Sequence, residues 1–164
     1  MNRAQWKMPS HVGLLYLVAS EIGLEKISWK PLDVPFAKSL KGDASEIRLL
    51  AQAVAELTEY FAGRRQTFTV PRDVQGTRFQ EKVWEQLSKI PYGKTYSYSE
   101  IAKRIGNPKA TRAVGTANGR NPISIMVPCH RVIAADGSLG GFGGGLANKI
   151  TLLKLEQTNL ALKR

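Results

Sequence analysis

The chain has 164 residues, 43% of them hydrophobic, which is enough to bury the core of one domain or of two small ones. It has no apolar stretch long enough to cross a bilayer and no long apolar signal segment near its start, so we expect a cytoplasmic protein with no membrane partner. One cysteine cannot form an internal disulfide, and one cysteine with two histidines cannot complete a closed zinc site of nitrogen and sulfur ligands. We therefore expect a reducing compartment and no metal.

The formal charge of +11 is concentrated in the second half of the chain. Residues 1–75 have ten basic and eight acidic side chains, whereas residues 76–164 have fourteen and five. Such a bias suits a polyanionic partner, most simply nucleic acid. The alternative is a generic basic surface.

The beginning of the chain predicts a β-hairpin. Residues 13–20 are apolar and β-prone, a turn follows at 21–23, and residues 24–29 alternate like a returning strand. His11 precedes this hairpin with no polar partner nearby in the sequence, which favours an exposed structural histidine.

A helix is predicted next, with a start at residues 43–46, an apolar stripe at helical spacing and an end at Gly63. Residues 68–70 suggest a short strand. Residues 72–76 have turn residues and no periodicity, so we place a domain boundary there. The two predicted domains are residues 1–75 and 76–164.

The second domain opens with two capped helices. Thr77 and Gln80 form the capping pair of the first, and Ser97 and Glu100 fit the capping box of the second. Gly106 is predicted to end the second helix, because glycine readily adopts the left-handed conformation that terminates many helices.

A third helix, about residues 109–118, is predicted to follow, with Asn107 and Pro108 as its N-cap and first helical residue. Two short helices joined by a tight turn in a basic context are typical of a helix-turn-helix. The third helix is built of Ala, Gly and Thr around a single Arg112, whereas base-reading helices usually carry long polar side chains. Small residues allow close approach either to another helix or to DNA, and the isolated arginine favours shallow, largely sequence-blind contact with nucleic acid.

The most informative stretch is residues 125–133, in which an apolar run leads to Pro128, Cys129, His130 and Arg131. The run predicts a buried strand or extended segment that Pro128 ends, because proline has no N–H for pairing. A thiol is a poor nucleophile until it loses its proton, and a neighbouring imidazole or guanidinium commonly lowers its pKa. Adjacent residues point apart on a strand, so Cys129 and His130 would couple through a turn or a water. The alternative is a structural cysteine beside two surface residues.

Glycines dominate residues 140–145, which we interpret as a flexible lid beside the thiol because no phosphate-loop lysine follows them. Leu146 begins a last helix. On spacing alone Glu156 in that helix is a solvated glutamate. The inward face of the helix is predicted at Ile150, Leu153 and Leu160.

The ordered motifs from about residue 76 to Glu156 resemble those of the O6-alkylguanine-DNA alkyltransferases, also called methylated-DNA–protein-cysteine methyltransferases. The resemblance rests on residues 79–84, 90–98, 106–110, 112–115, 119–122 and 127–133. It implies an α/β (α+β) fold with a small N-terminal ribonuclease H-like domain and a mostly helical C-terminal domain with a winged-helix-like helix-turn-helix. It also implies DNA repair by direct reversal, in which the alkyl group of O6-alkylguanine, and of O4-alkylthymine, passes once and irreversibly to the protein's own cysteine.

The resemblance implies catalytic roles at five positions. Cys129 would accept the alkyl group, His130 would take the thiol proton through a bridging water, and Glu156 would orient His130. Tyr98 would offer its hydroxyl to the guanine as the leaving group gains charge. Asn121 would tie the recognition helix to the active-site segment.

The implied partner is double-stranded DNA containing O6-alkylguanine. Arg112 would enter the duplex and fill the space left by the everted nucleotide. The other expected DNA contacts are Ser97, Tyr98, Ala110, Thr111, Ala113, Thr116 and Arg131. The expected borders of the base pocket are Val132, Phe142, Gly143 and Gly144. We expect no cofactor, and a monomer that can also cluster cooperatively on DNA.

The chain departs from the family pattern near the lid. Phe142 stands where many relatives have an aromatic hydroxyl, and Gly143 stands where a serine is common, so two donors near the pocket are missing. Asn118 and Ser124 occupy positions that vary among relatives. The rival interpretations are a binding-only alkyltransferase-like protein, a helix-turn-helix regulator and a cysteine hydrolase. The presence of Cys129 argues against a binding-only protein. The third helix has too few base-specific side chains for a helix-turn-helix regulator, and two histidines leave a cysteine hydrolase few candidates for its base.

Overall fold

A computed structural model describes residues 1–162 of the chain. The chain divides into two compact units, Met1–Val74 and the residues from Gln75 onward. The first combines a sheet with a helix and the second is mostly helical, so the predicted mixed α/β class is confirmed. None of the helices within residues 1–162 is both long and apolar enough to span a bilayer.

The first unit consists of an antiparallel sheet with one helix packed against it. Strands β1 (Arg3–Ser10), β2 (Gly13–Ser20) and β3 (Leu24–Ser28) pair in that order, and helix α1 (Ser45–Phe61) contacts all three. The hairpin of β2 and β3 follows the predicted alternation. Strand β1 was not predicted, because its sequence mixes charged, polar and proline residues with only a few apolar ones.

Helix α1 buries a carboxylate among its apolar residues. Glu56 is buried, and it accepts hydrogen bonds from the N–H of Thr69 at 2.8 Å and from the N–H of Val70 at 3.2 Å. The strand predicted at residues 68–70 is therefore wrong, because its main-chain donors bind a side chain instead of a neighbouring strand. The chain rejoins the sheet just beyond, where Arg72 forms an isolated bridge with Leu24.

Up to residue 162, the second unit has four α-helices and two very short strands. In chain order they are α2 (Arg78–Ser88), β4 (Tyr96–Ser97), α3 (Tyr98–Arg104), α4 (Thr111–Gly119), β5 (Val132–Ile133) and α5 (Leu146–Leu162). Strands β4 and β5 pair in parallel, with Tyr96 opposite Val132. Both predicted capping boxes, Thr77 with Gln80 and Ser97 with Glu100, are present.

Helix α4 begins later than the sequence predicts. Asn107 to Ala110 form a turn, closed by a hydrogen bond from the N–H of Ala110 to the carbonyl of Asn107 at 3.0 Å. Pro108 lies inside this turn, so its assignment as the first helical residue is wrong. The helix starts at Thr111 and packs against α2 and α3.

The segment before Cys129 is buried but is not a strand. The N–H of Val127 donates to the carbonyl of Ile123 at 3.0 Å, which closes a turn, and Ile125 adopts a φ of 77°. A β-branched residue in this left-handed region is unusual and is held there by the surrounding structure. After Pro128 the chain forms a 3₁₀ turn over Cys129–Arg131. The prediction of a buried strand or extended segment is therefore right about burial, but two consecutive turns take the place of extended backbone.

Candidate active site

Cys129 lies at the start of the 3₁₀ turn and is 3% exposed. Its sulfur is 4.0 Å from the hydroxyl oxygen of Ser124. Burial raises the pKa of the Cys129 thiol, because a thiolate is poorly solvated there. The polar side chains of Asn121 and Ser124 and the positive charge of Lys149 shift the pKa of the thiol in the opposite direction. The sulfur is thus buried among polar groups, not in hydrocarbon alone.

His130 is fully buried and bonded to Glu156. Its Nε2 is 2.7 Å from Oε2 of Glu156, while its Nδ1 has no hydrogen-bond partner among residues 1–162. Since a carboxylate can only accept, Nε2 carries a proton and Nδ1 of the neutral ring carries a lone pair. Burial lowers the pKa of His130, and the hydrogen bond and charge of Glu156 oppose this shift without reversing it. The resting imidazole is therefore neutral at neutral pH.

Glu156 lies on the buried face of α5 and accepts hydrogen bonds from His130, Arg131 and Gly93. Besides the bond with His130, Nε and Nη2 of Arg131 donate to this carboxylate at 2.8 and 3.0 Å, and the N–H of Gly93 donates to it at 3.0 Å. Burial alone would raise the pKa of Glu156, but the hydrogen bonds from His130 and Arg131 and the charge of Arg131 lower it to about 2. The carboxylate is therefore ionised, and it fixes both the tautomer and the orientation of the imidazole.

The environment of Arg131 differs from the DNA contact that was expected of it. It is buried, it forms a bidentate pair with Glu156, and its Nη1 donates to the carbonyl of Ile90 at 2.8 Å. The guanidinium also lies over the Tyr92 ring, 5.5 Å from its centroid. A guanidinium held in this way cannot reach a phosphate, so the predicted DNA contact at Arg131 is wrong. Its place in the structure is as the charge partner of Glu156.

Tyr98 is the first residue of α3 and is half-buried. Burial raises the pKa of its phenol, and the electrostatic interaction with Cys129 raises it further. A Cβ on Gly140 would lie 2.8 Å from the Tyr98 hydroxyl, and one on Gly115 would lie 3.9 Å from its ring. The phenol is therefore bordered by two glycines, one from α4 and one from the glycine-rich segment, and it remains protonated and able to donate.

Two asparagines connect α4 to the cysteine. Asn121 Nδ2 donates to the carbonyl of Val127 at 2.7 Å, and Oδ1 accepts from the N–H of Ile123 at 3.0 Å. Asn118, buried on α4, donates to the carbonyl of Cys129 at 3.4 Å. The end of α4 and the cysteine segment are therefore held together by side-chain amides.

The remaining DNA-contact candidates divide into two groups by exposure. Ser97 is buried and its hydroxyl caps α3 by accepting from the N–H of Glu100, so its predicted DNA contact is also reassigned, here to helix capping. Ala110 is half-buried. The exposed face of α4 contains Thr111, Arg112, Ala113 and Thr116. This face combines one long cationic side chain with small neighbours.

The pocket candidates lie on β5 and in residues 139–145, which we call the glycine segment. Val132 is buried on β5, Phe142 and Gly144 are half-buried, and Gly143 is exposed. The carbonyl of Gly144 accepts a hydrogen bond from Asn148 at 2.8 Å. Within residues 1–162 no three His, Cys, Asp or Glu side chains come close enough together to hold a metal ion.

Lys149 is a buried charged residue that the sequence interpretation missed. It lies in the first turn of α5 and is 0% exposed. The buried residues of α5 are Lys149, Leu152 and Glu156, while the predicted Ile150, Leu153 and Leu160 are only half-buried. A lysine and a glutamate seven residues apart, on either side of a leucine, share one helix face, and that spacing is the signal that could have found Lys149.

Comparisons with known proteins agree with this geometry. Residues 6–74 match the family described as 6-O-methylguanine DNA methyltransferase, ribonuclease-like domain, and residues 78–158 match the DNA binding domain of the same description. The methylated-DNA–protein-cysteine methyltransferase of Mycobacterium leprae is 48% identical over 150 residues, which cover 92% of this chain and 90% of that protein. That of Methanosarcina acetivorans is 46% identical over 151 residues, with 90% and 94% covered.

Solved structures of similar chains include complexes with DNA. The crystal structure of Mycobacterium tuberculosis OGT in complex with DNA superposes with a TM-score of 0.82 at 42% identity, covering 95% of this chain and 94% of that one. Fold and site together define a two-unit protein with a single cysteine centre linked to a helix that exposes one arginine. The chain belongs to the 6-O-methylguanine DNA methyltransferase family.

Proposed function

We propose that the chain repairs DNA by moving an alkyl group, methyl above all, from O6 of guanine in double-stranded DNA to the sulfur of Cys129. O4-alkylthymine presents the same alkyl–oxygen bond and is proposed as a second substrate. One observation carries the proposal: Cys129 is followed in the 3₁₀ turn by a buried His130, and Glu156 fixes the orientation of that imidazole. Similarity to proteins named methylated-DNA–protein-cysteine methyltransferase supports it.

The first step is the activation of the thiol. Nδ1 of His130 is the one ring nitrogen with a free lone pair, so it takes the thiol proton through a bridging water. The negative charge of Glu156 stabilises the imidazolium that forms, and the polar side chain of Asn121 stabilises the thiolate. Glu156 and Asn121 thus lower the free energy of an ion pair that burial otherwise disfavours.

The second step is a displacement at carbon. The sulfur electron pair forms the S–C bond, the C–O bond breaks, and its electron pair leaves with the guanine. The Tyr98 hydroxyl donates to the base as that charge develops, and the proton lost by Cys129 balances the charge of the free guanine. The product is a thioether, which offers water no carbonyl to attack, so the transfer is stoichiometric and irreversible. Atoms and charges balance without a cofactor.

DNA is proposed to bind on the exposed face of α4. A base inside the duplex cannot present its alkyl carbon for in-line attack, so it must be everted at a cost of roughly a few kcal/mol. Arg112 is long, cationic and exposed, and it fills the space that the base leaves. The small residues beside it let the helix approach the duplex backbone closely. They are Ala110, Thr111, Ala113 and Thr116.

The everted base is proposed to lie between Val132 and the glycine segment. Because Phe142 and Gly143 offer no side-chain donors, main-chain groups at Val132 and Gly144 recognise the guanine in this chain. All of the residues assigned here belong to one polypeptide, so we propose that a monomer acts. Cooperative clustering of copies along one duplex is a further expectation, which sedimentation with DNA of increasing length tests.

Intact-mass analysis with peptide mapping tests the proposal. Incubation with excess duplex containing O6-methylguanine should add one methyl group per chain, located on Cys129. The Cys129→Ala variant and undamaged duplex are the matched controls and should show no addition. An unmodified Cys129 after exposure to excess damaged duplex would overturn the assignment.

A further inference from the structure

Gly93 is bonded to α5 through both of its main-chain polar groups. Its N–H donates to Oε1 of Glu156 at 3.0 Å, and its carbonyl accepts from Nε2 of Gln157 at 2.6 Å. The N–H of Lys94 donates to the carbonyl of Pro91 at 3.0 Å, so residues 91–94 form a tight turn. Gly93 is the third residue of this turn and has a φ of 77°, a conformation that favours glycine because it has no Cβ.

Further contacts hold this turn against the part of α5 that follows Glu156. Nδ2 of Asn159 donates to the hydroxyl of Tyr92 at 3.0 Å. A Cβ on Gly93 would overlap Cδ1 of Leu160, so the glycine allows the turn to approach the helix closely. The position of the Gly93 N–H is therefore fixed by side chains of the last turns of α5.

The two oxygens of the Glu156 carboxylate have different partners. Oε2 is bonded to His130 and to Nη2 of Arg131, whereas Oε1 accepts from Nε of Arg131 and from the N–H of Gly93. A carboxylate beside an imidazole favours protonation of the ring, and a protonated ring cannot accept a proton from a thiol. Each donor to the carboxylate stabilises its negative charge and so weakens this effect on the imidazole. Gly93 supplies such a donor from the main chain, which has no charge of its own.

We propose that Gly93 is a positioning residue for the catalytic base: its N–H, held in place by Gln157, stabilises the charge of Glu156 and so keeps His130 unprotonated and able to accept the thiol proton. The kinetic part of this inference rests on the proposed alkyl transfer, whereas the protonation of His130 does not. Without the Gly93 N–H, more of the carboxylate charge would act on the imidazole, which would then bind a proton at higher pH. The transfer would be slowed only in the acidic range in which the ring is protonated.

Other charged and titratable groups also surround His130. Lys149 on α5 donates to the main-chain carbonyls of Val132 and Gly141, and its positive charge opposes protonation of His130, as does that of Arg131. Helix α2 also packs against the 3₁₀ turn, and its buried side chains do not ionise; they are Val83, Trp84 and Leu87. Burial raises the pKa of two further neighbours, which are neutral near neutral pH: Cys129 and Tyr92. None of these groups gains or loses a charge when the Gly93 N–H is removed.

An amide-to-ester substitution tests the protonation of His130. Gly93→glycolic acid, introduced by nonsense suppression, replaces the N–H by an oxygen and adds no side chain. Gly63→glycolic acid is the matched control, because Gly63 also has a φ of 77° and its N–H also donates at 3.0 Å, but to the neutral carbonyl of Tyr60.

The protonation is measured by NMR titration of the two histidines of the chain. In Gly93→glycolic acid the midpoint of His130 should rise by about one pH unit, while the exposed His11 of the first unit serves as an internal reference. In Gly63→glycolic acid both midpoints should equal those of the wild-type chain. An unchanged His130 midpoint in the Gly93 ester would overturn the proposal.

Gln157→Leu covers the case in which the Gly93 ester does not fold. This variant keeps the N–H of Gly93 but removes the side chain that holds its carbonyl, so the His130 midpoint should rise by a smaller amount. Thr158→Leu places the same side chain at the next exposed position of α5 and should leave the midpoint unchanged. If the ester does not fold, equal midpoints in Gln157→Leu and Thr158→Leu would overturn the proposal.

Single-turnover methyl transfer against pH tests the kinetic part. In Gly93→glycolic acid the acidic limb of the rate profile should move to higher pH together with the His130 midpoint, which lowers the rate by up to about tenfold at a given acidic pH. Above the midpoint the rate should not fall, because a more basic imidazole accepts the thiol proton at least as readily. A merely structural role would lower the rate at every pH, and that result would overturn the kinetic part.

The inference and the proposed function can fail separately, because the titration needs no DNA. If damaged duplex does not methylate Cys129 but the His130 midpoint rises in the ester, the function is wrong and the effect of Gly93 on His130 stands. If the duplex methylates Cys129 and the midpoint is unchanged, the function stands and the role of Gly93 is wrong.

Discussion

Nε2 of His130 lies 2.7 Å from Oε2 of Glu156, and both side chains are buried. The same carboxylate is held by Arg131 and by the N–H of Gly93, so one side chain of α5 organises the 3₁₀ turn and the loop before β4. Chemistry and stability therefore depend on the same anion, and variants of this network should alter both.

Glu156→Gln should remove a pH-dependent part of the stability. The pKa of Glu156 is about 2 in the folded chain and 4.5 as the reference value, so its contribution is complete above 4.5 and is lost as pH falls toward 2. The difference corresponds to about 3 kcal/mol of unfolding free energy. Urea unfolding of both proteins between those pH values should show the wild-type advantage shrinking with acidity. A constant difference would contradict the assignment.

His130→Gln should slow the transfer while keeping a donor toward Glu156. Loss of a positioned general base typically lowers a rate by about 10²- to 10⁴-fold at neutral pH. The deficit should shrink in alkaline buffer, because the raised pKa of Cys129 then lies nearer the ambient pH and the thiol ionises unaided. Single-turnover kinetics against pH measures this. His11→Gln, at the other histidine, which is exposed in the first unit, should be indistinguishable from wild type.

Arg112→Ala should weaken repair only where a base must leave a helix. Without the Arg112 side chain in the space left by the everted base, reaction on duplex DNA should slow by roughly 10- to 100-fold, equivalent to about 1–3 kcal/mol in activation free energy. Reaction with the free O6-methylguanine base should be unaffected. Arg120→Ala removes another exposed arginine just after α4 and should show no such difference between substrates. Equal slowing on both substrates would exclude the proposed insertion.

Arg131→Leu separates a structural arginine from a DNA-binding one. It leaves Glu156 buried with one fewer cation, which should cost about 3–5 kcal/mol of unfolding free energy. The salt dependence of DNA binding should not change, because this guanidinium does not reach solvent. The exposed Lys109→Ala should behave in the opposite way, with unchanged stability and weaker binding at low salt. A flatter salt dependence in Arg131→Leu would restore the original DNA-contact interpretation.

Gly140→Ala tests the contact between the glycine segment and Tyr98. Gly140 has a φ of 69°, and an added Cβ would lie 2.8 Å from the Tyr98 hydroxyl, so both backbone and phenol must shift. We expect a loss of about 1–2 kcal/mol from the backbone alone, together with slower transfer. Two control variants separate these effects. Gly137 has a positive φ but open space where a Cβ would lie, and Gly141 has neither a positive φ nor an atom within 4 Å of an added Cβ. If Gly137→Ala also slowed the transfer, backbone strain would explain the effect of Gly140→Ala, and the contact with Tyr98 would not be needed.

Local patterns predicted much of the fold, and family motifs predicted the centre of the site. The capping boxes at Thr77 and Ser97 were found because each depends on residues three apart. The buried charges at Arg131 and Lys149 were missed, because hydrophobic periodicity assigns charged residues to solvent. Their partners, Glu156 and main-chain carbonyls, are remote in sequence or have no signature in it. The left-handed Ile125 was missed for the same reason, since only tertiary contacts hold it there.

The 3% exposure of Cys129 has a consequence for the lifetime of the molecule. A chain that uses its one thiol a single time gains nothing if peroxide or another electrophile can consume that thiol first. Oxidation follows accessibility and thiolate character, and both are low in the resting chain. We therefore expect the protein to survive oxidative stress with its sulfur intact until a damaged base enters the pocket.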